Sequence, residues 1–298
     1  MFAHNDGVDI AYQTFGTAGG RPLLLVMGGL MPMSLWQDDF CLALVERGFH
    51  VARFDNRDVG GSSRASARYT VADLAADGVA VLDALGWAGA HVVGTSLGGM
   101  IAQVMATRHA DRVLSLTSMS SAPDHFLRWD RRKIGAIARI LALYRKKPAG
   151  PDAAGEQLVR MFRIIGSPGY PHDEDWQREI GRAAYAQRMD LAGFRRQAAA
   201  VFASGDRRAE LSHVTAPTLV ITGEADALQP VRAGRATAEA IPGARFVTYP
   251  GMGHDLPREL WPAFVDEIDA IADTASGHRE ARRNSSTTGE ATERNSRK

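Results

Sequence analysis

The feature that most constrains this chain is a run of five apolar residues, Leu23-Leu24-Leu25-Val26-Met27, closed by Gly28-Gly29. A strand with no polar alternation must be buried on both faces, as happens inside a parallel sheet covered by helices. Similar strand signals recur at Phe49 to Asp55, Ala90 to Gly94 and Val113 to Met119. Between them lie segments of helical spacing. These are Leu35 to Arg47, Val71 to Leu85 with Leu74, Val81, Leu82 and Leu85 as its stripe, and Leu97 to about Arg108. Strands separated by helices of this length imply βαβ units and a mostly parallel sheet, an α/β fold. Val8 to Phe15 alternates in part and predicts an antiparallel edge strand.

The rhythm stops at about Ser121. From there to Ser212 only helical patterns occur, broken at Pro148 to Pro151 and Ser167 to Pro171. Ile134, Ile137, Leu141 and Tyr144 fall on one helix face, a stripe expected to cover a pocket. The strand rhythm returns with Pro217 to Thr222 and Ala244 to Tyr249, followed by an amphipathic helix from Leu260 to Ile271. The expected division is an α/β core over residues 1–120 and 213–274, interrupted by a helical cap over 121–212. Residues 275–298 are Ser, Thr, Asn, Arg and Glu with almost nothing apolar, and predict a disordered tail.

Composition removes several classes of function. Cys41 is the single cysteine, which excludes a disulfide scaffold and a Cys-rich zinc module. Thirty-five basic and 34 acidic residues leave a net charge of +1, so there is no footprint of a dedicated nucleic-acid binder. The N-terminus has neither a basic n-region nor an apolar h-region, and no apolar stretch approaches the length of a membrane span. A cytoplasmic protein without stable membrane insertion is the expectation. Arg128, Arg131, Arg132, Lys133, Arg139, Arg145, Lys146 and Lys147 form a basic run. It reads as the solvated face of a cap helix in preference to a membrane-docking face. Docking would show as salt-sensitive binding to anionic vesicles.

The sharpest chemical feature is Gly94-Thr95-Ser96-Leu97-Gly98, a G-x-S-x-G between an apolar strand and a helix. That context is required of a nucleophile elbow, where a serine sits in a strained turn and bulky neighbours would clash. Ser96 needs a base. His254, in Gly251-Met252-Gly253-His254, follows the last strand on a Gly-flanked loop. The base needs a carboxylate to hold its tautomer. Asp226 follows the strand ending at Thr222, with Glu224 as the competing choice and Asp255 expected to point elsewhere. The oxyanion donors expected are the N–H groups of Leu97 and of Gly29, with Leu30 as the alternative to Gly29. Met33, Trp36 and Trp129 are candidate substrate contacts. No metal or organic cofactor is called for.

These motifs resemble the α/β-hydrolase superfamily over about residues 8 to 273. The matching stretches are Met27-Gly28-Gly29, Asp55-Asn56-Arg57-Asp58-Val59-Gly60-Gly61-Ser62, Gly94 to Gly99, Gly223 to Pro230 and Gly251 to His254. The second is similar to the family's D-x-R-G-x-G-x-S turn, with Asp58 where glycine is usual, a departure expected to matter little for chemistry. Met27 replaces the His of the common H-G pair. Within the superfamily the wording is nearest to the aclacinomycin methylesterases. The resemblance implies a twisted, mostly parallel sheet with a helical lid inserted between strands, and the order Ser96, Asp226, His254 is the family's. It implies a serine esterase acting on a small, largely apolar ester through an acyl-enzyme. Thioester, lactone or carbon–carbon bond hydrolysis, cofactor-free perhydrolysis and a low-turnover ligand receptor fit the same framework. Oligomeric state and natural substrate stay open.

Overall fold

The apolar run becomes a strand whose side chains alternate between two cores. Leu23 and Leu25 enter one apolar cluster and Leu24 and Val26 the other, all fully buried. A computed structural model describes residues 1–124, 131–187 and 191–275. Its strands are β1 (Phe2–Asn5), β2 (Val8–Phe15), β3 (Arg21–Val26), β4 (Phe49–Phe54), β5 (Ala90–Thr95), β6 (Val113–Met119), β7 (Thr218–Gly223) and β8 (Arg245–Tyr249). They form one sheet in the order β1-β2-β4-β3-β5-β6-β7-β8. Pairing is antiparallel from β1 to β2 and β2 to β4, and parallel from there on.

The helices in chain order are α1 (Asp38–Glu46), α2 (Val71–Ala84), α3 (Leu97–Arg108), α4 (Arg131–Tyr144), α5 (Pro151–Ile165), α6 (Glu174–Ala186), α7 (Leu191–Ala203), α8 (Arg208–Leu211) and α9 (Val231–Ala240), with α10 over residues 261–275. α2, α3 and α9 supply the core on the Leu24 face, whereas α1 and α10 supply it on the Leu23 face. The order α4 to α8 separates β6 from β7. Leu158, Met161, Phe162, Ile165 and Ile180 give this helical insertion an apolar cluster of its own. Met31, Leu35 and Leu228, from loops after β3 and β7, pack against it.

Four expectations change. β2 is an inner strand, because β1 flanks it. β1 is short, but Asp6-Gly7 between them, both at positive φ, is the left-handed two-residue turn that closes a tight hairpin. The segment expected to be helical from Leu35 opens as a 3-10 turn, Met33–Leu35, and only then becomes α1. The Ile134 stripe does not cover a pocket. Ile134, Leu141 and Tyr144 are exposed, and α4 turns Ala136, Ile140 and Leu143 inward instead. Both faces of this helix are apolar, so spacing alone does not choose between them. No apolar stripe predicts α9, since its buried residues Ala233, Gly234 and Thr237 are too small to make one.

Cys41 is buried in α1, where desolvation pushes its thiol up to about 12, so it packs as an inert apolar group. No helix among the described residues is long and apolar enough to cross a membrane. The expected tail lies outside the described residues, apart from Ala275, which is part of α10 and is buried.

Candidate active site

The G-x-S-x-G spacing follows from contacts that leave no room for a side chain. A Cβ on Gly94 would sit 2.1 Å from the Gly98 carbonyl oxygen, and one on Gly98 would sit 2.1 Å from that of Val26. β5, α3 and β3 therefore touch backbone to backbone around Ser96. The turn drives Ser96 to φ +56°, ψ −119°, a conformation outside the ordinary wells of an L-residue. Strain of this kind persists only where the surrounding structure over-determines it. Ser96 N–H donates to the Met119 carbonyl at 2.9 Å, and Ser121 Oγ donates to the Ser96 carbonyl at 2.8 Å, which fixes the turn from β6.

Three residues distant in sequence meet here. His254 Nε2 lies 3.0 Å from Ser96 Oγ, and His254 Nδ1 lies 2.8 Å from Asp226 Oδ2. An ionised carboxylate only accepts, so Nδ1 donates to Asp226 and Nε2 is left to accept from the Ser96 hydroxyl. The other Asp226 oxygen accepts from the N–H groups of Leu228 at 2.8 Å and Gln229 at 2.7 Å, which orients the carboxylate. The Asp226 side chain is fully buried and that of His254 is 10% exposed, so water screens the pair weakly. Burial alone would lower the imidazolium pKa. The charge of Asp226 and its hydrogen bond outweigh burial and hold it above the ordinary histidine value of 6.5.

The competing carboxylates are engaged elsewhere. Glu224 accepts from Thr248 Oγ1 at 2.9 Å, and Asp255 accepts from Ser167 Oγ. Ser167 also accepts from the Gly253 N–H at 2.8 Å, while the His254 N–H donates to the Ile165 carbonyl at 2.7 Å. The end of α5 thus holds the histidine loop, a link that no motif in the sequence announces.

On the opposite side of Ser96 lies the loop after β3. A Cβ on Gly28 would sit 3.2 Å from Ser96 Cβ, and one on Gly29 would sit 3.4 Å from Leu97 Cδ2. A side chain on Gly28 would crowd Ser96, so the glycine keeps this backbone close to the serine. Leu97 opens α3, where the first N–H groups have no intrahelical partner. The Leu30 N–H, the alternative donor, is spent on Gln197 Oε1 at 2.8 Å. The loop is tied from below by Asp55, which accepts from the N–H groups of Met33 at 2.7 Å and Gly61 at 2.8 Å. Asn56 Nδ2 donates to the Met27 carbonyl at 3.0 Å.

The candidate substrate contacts separate. Met33 is half-buried, with its backbone N–H on Asp55. Trp36 is fully buried and stacked on Phe40 with ring centroids 5.6 Å apart, so it is a core residue and offers no surface to a ligand. Its apolar bulk serves α1 because the 3-10 turn rotates it inward. Trp129 lies outside the described residues, as do Arg128 and the rest of the 125–130 segment. Met31 and Leu35, which carry no motif, contact the apolar cluster of the insertion, as Leu228 does. Of the basic run, Lys133 does not sit on a fully solvated face. It lines a cavity of about 210 Å³ with Arg132, Arg232, Glu224 and Asp226, and burial lowers its pKa against the opposing charges of Asp226 and Asp124.

The family model for the alpha/beta hydrolase fold matches residues 21–257. This chain belongs to the α/β-hydrolase fold family. It is 33% identical over 273 residues to rhodomycin D methylesterase DnrP of Streptomyces peucetius, covering 85% of this chain and 91% of that one. It is 34% identical over 272 residues to rhodomycin D methylesterase DauP of Streptomyces sp. (strain C5), with the same coverage. Among solved structures, an enol-lactonase from Burkholderia xenovorans LB400 superposes with a TM-score of 0.72 at 25% identity, covering 91% of this chain and 99% of that one. The sheet order and the helices flanking it are those of an α/β hydrolase, as the sequence resemblance implied, and the methylesterase relatives agree with ester-hydrolase chemistry.

Proposed function

We propose that this protein is a serine hydrolase that cleaves a carboxylic ester of a small, largely apolar substrate through an acyl-enzyme. The observation that carries the reading is the unbroken line from Ser96 Oγ through His254 to Asp226, at 3.0 and 2.8 Å. Ser96 Oγ attacks the ester carbonyl carbon while its proton passes to His254 Nε2, and Asp226 stabilises the imidazolium through Nδ1–H. The carbonyl π electrons become an oxyanion held by the N–H groups of Leu97 and Gly29, worth about 3 kcal/mol per donor. Collapse breaks the bond to the alkoxide, which leaves as the alcohol with the proton from His254. Water then attacks the acyl carbon and gives its proton to His254. The acid departs and Ser96 regains its hydrogen.

The insertion α4–α8 acts as a lid in this reading. Its cluster of Leu158, Met161, Phe162 and Ile165, against which Met31 and Leu35 pack, seats the lid on the loop after β3. The methylesterase relatives support a methyl ester as the natural substrate, with rhodomycin D the first to try. The test is a series of p-nitrophenyl esters of increasing acyl length, assayed beside the methyl ester. Turnover across the short esters with a defined length cut-off is expected. Binding of all esters without release of nitrophenol would replace the reading with a receptor.

The reading also fixes a pH profile. His254 acts as a base only when neutral, and its pKa lies above 6.5. kcat/KM therefore falls with decreasing pH along a limb whose midpoint lies above 6.5. In Asp226→Asn the residual activity is about 10⁴-fold lower. Its acid limb moves to lower pH, because desolvation then acts on His254 without the opposing carboxylate. An unchanged limb in Asp226→Asn would assign the titration to another group.

A further inference from the structure

Gln197 on α7 belongs to no motif, yet it is 2% exposed and its amide spans two loops of the site. Oε1 accepts from the Leu30 N–H at 2.8 Å, and Nε2 donates to the Arg57 carbonyl at 3.1 Å. Leu30 stands at φ +63°, a left-handed conformation that a leucine keeps only where its surroundings hold it. Immediately before it, Gly28 and Gly29 have no side chains to restrict their torsions. The Leu30 N–H belongs to the peptide that follows Gly29, so the bond to Gln197 pins the torsion about the Gly29 Cα. A Cβ on Gly29 would sit 3.4 Å from Gln197 Oε1 and 3.4 Å from Leu97 Cδ2, so Gly29 packs against both the Gln197 amide and the Leu97 side chain.

The residue beside Gln197 anchors the same helix. Arg196 grips the Asp58 carboxylate with Nε at 2.9 Å and a terminal nitrogen at 2.6 Å. Asp58 also accepts from Tyr69 Oη at 2.8 Å and the Ala65 N–H at 2.9 Å. Its backbone is at φ +72°, which explains why glycine is usual there and why a small polar residue is tolerated. The buried Asp58 side chain is the socket that ties α7 to the turn after β4.

We infer that Gln197 is a positioning residue for the oxyanion donor Gly29, so that the oxyanion hole is complete only while α7 is seated. The inference rests on Ser96 as nucleophile and Gly29 as donor. Lid closure and transition-state stabilisation are then one event. A substrate that holds α7 down assembles its own catalytic site, as in induced fit.

The experiment uses the full chain with a p-nitrophenyl ester as substrate. Two inhibitors are compared: an alkyl trifluoromethyl ketone, which adds Ser96 to form a tetrahedral oxyanion, and the matching methyl ketone, which remains a ground-state mimic. Gln197→Met keeps the length of the side chain and removes its acceptor. It is expected to lower kcat by between about tenfold and about a hundredfold with KM little changed. The trifluoromethyl ketone weakens by the same factor and the methyl ketone keeps its affinity. Gln197→Glu, whose carboxyl oxygen still accepts from Leu30, retains more of kcat. Circular dichroism and Tm report folding of each variant. kcat within about twofold of the parent overturns the inference, as does equal weakening of both ketones, which marks a merely structural tether. Ser96→Ala in the same series separates the two claims. If it is inactive while Gln197→Met is normal, only this inference fails; if it turns over like the parent, both fail.

Discussion

Alanine at Ser96 lowers kcat for a p-nitrophenyl ester by about five to six orders of magnitude, with KM little changed. The hydroxyl is removed, whereas the strained turn, His254, Asp226 and the N–H groups of Leu97 and Gly29 stay in place. What remains is the roughly 10³- to 10⁴-fold advantage over water that binding and oxyanion stabilisation alone supply. Alanine keeps the Cβ and hence the strain at φ +56°, so stability is nearly unchanged. Ser96→Gly, by contrast, is equally inactive and more stable, by about 1 kcal/mol or more, because glycine adopts positive φ freely. A dead enzyme that melts higher is the signature of a residue kept for chemistry at a cost to the fold. Thermal melts of the three proteins, read beside their initial rates, check both halves.

Alanine at Asp77 destabilises the protein by about 3–5 kcal/mol, the cost of leaving a buried charge unpaired. Asp77 is fully buried in α2 and takes both forks of Arg57, Nε and a terminal nitrogen, each at 2.6 Å. Asn5 Nδ2 adds a third bond at 2.8 Å. For a chain of this length the loss corresponds to a fall in Tm of roughly 6–20 °C. The effect reaches the site by a short path. Arg57 carries the carbonyl that accepts from Gln197, and its neighbour Asp58 seats Arg196. Asp77→Ala is therefore expected to lower kcat as well as Tm, although Asp77 lies outside the site. An exposed pair such as His4–Asp9 serves as the control, since its removal costs little. Differential scanning calorimetry of both variants gives the comparison.

Where local chemistry dictates the outcome, the sequence and the structure agree closely. The continuous run at Leu23 becomes a two-faced strand, Val113 to Met119 has the expected bounds, and the glycines around Ser96 stand where backbone meets backbone. Asp226, His254 and Ser96 are legible because loops at one edge of a parallel sheet converge, so strand order brings them together. Elements without a strong pattern are harder to read. α9 buries only small residues, and α4 is apolar on both faces. The fate of Trp36 depends on a 3-10 turn that spacing does not reveal. Gln197, Arg196 and Ser167 carry no motif, since each matters through a partner more than fifty residues away. Asp58 did leave a signal, a carboxylate at a position where glycine is usual. Its meaning needed Arg196 to be brought beside it.

The most direct test of the account is covalent capture of the nucleophile. The protein is treated with a fluorophosphonate, which reacts with an activated serine by losing fluoride, and intact and peptide masses are measured. The account predicts a single phosphonyl addition on the peptide containing Ser96, absent in Ser96→Ala and slowed in His254→Ala. Labelling of Ser96→Ala at the parent rate, or a label on another serine, would contradict it.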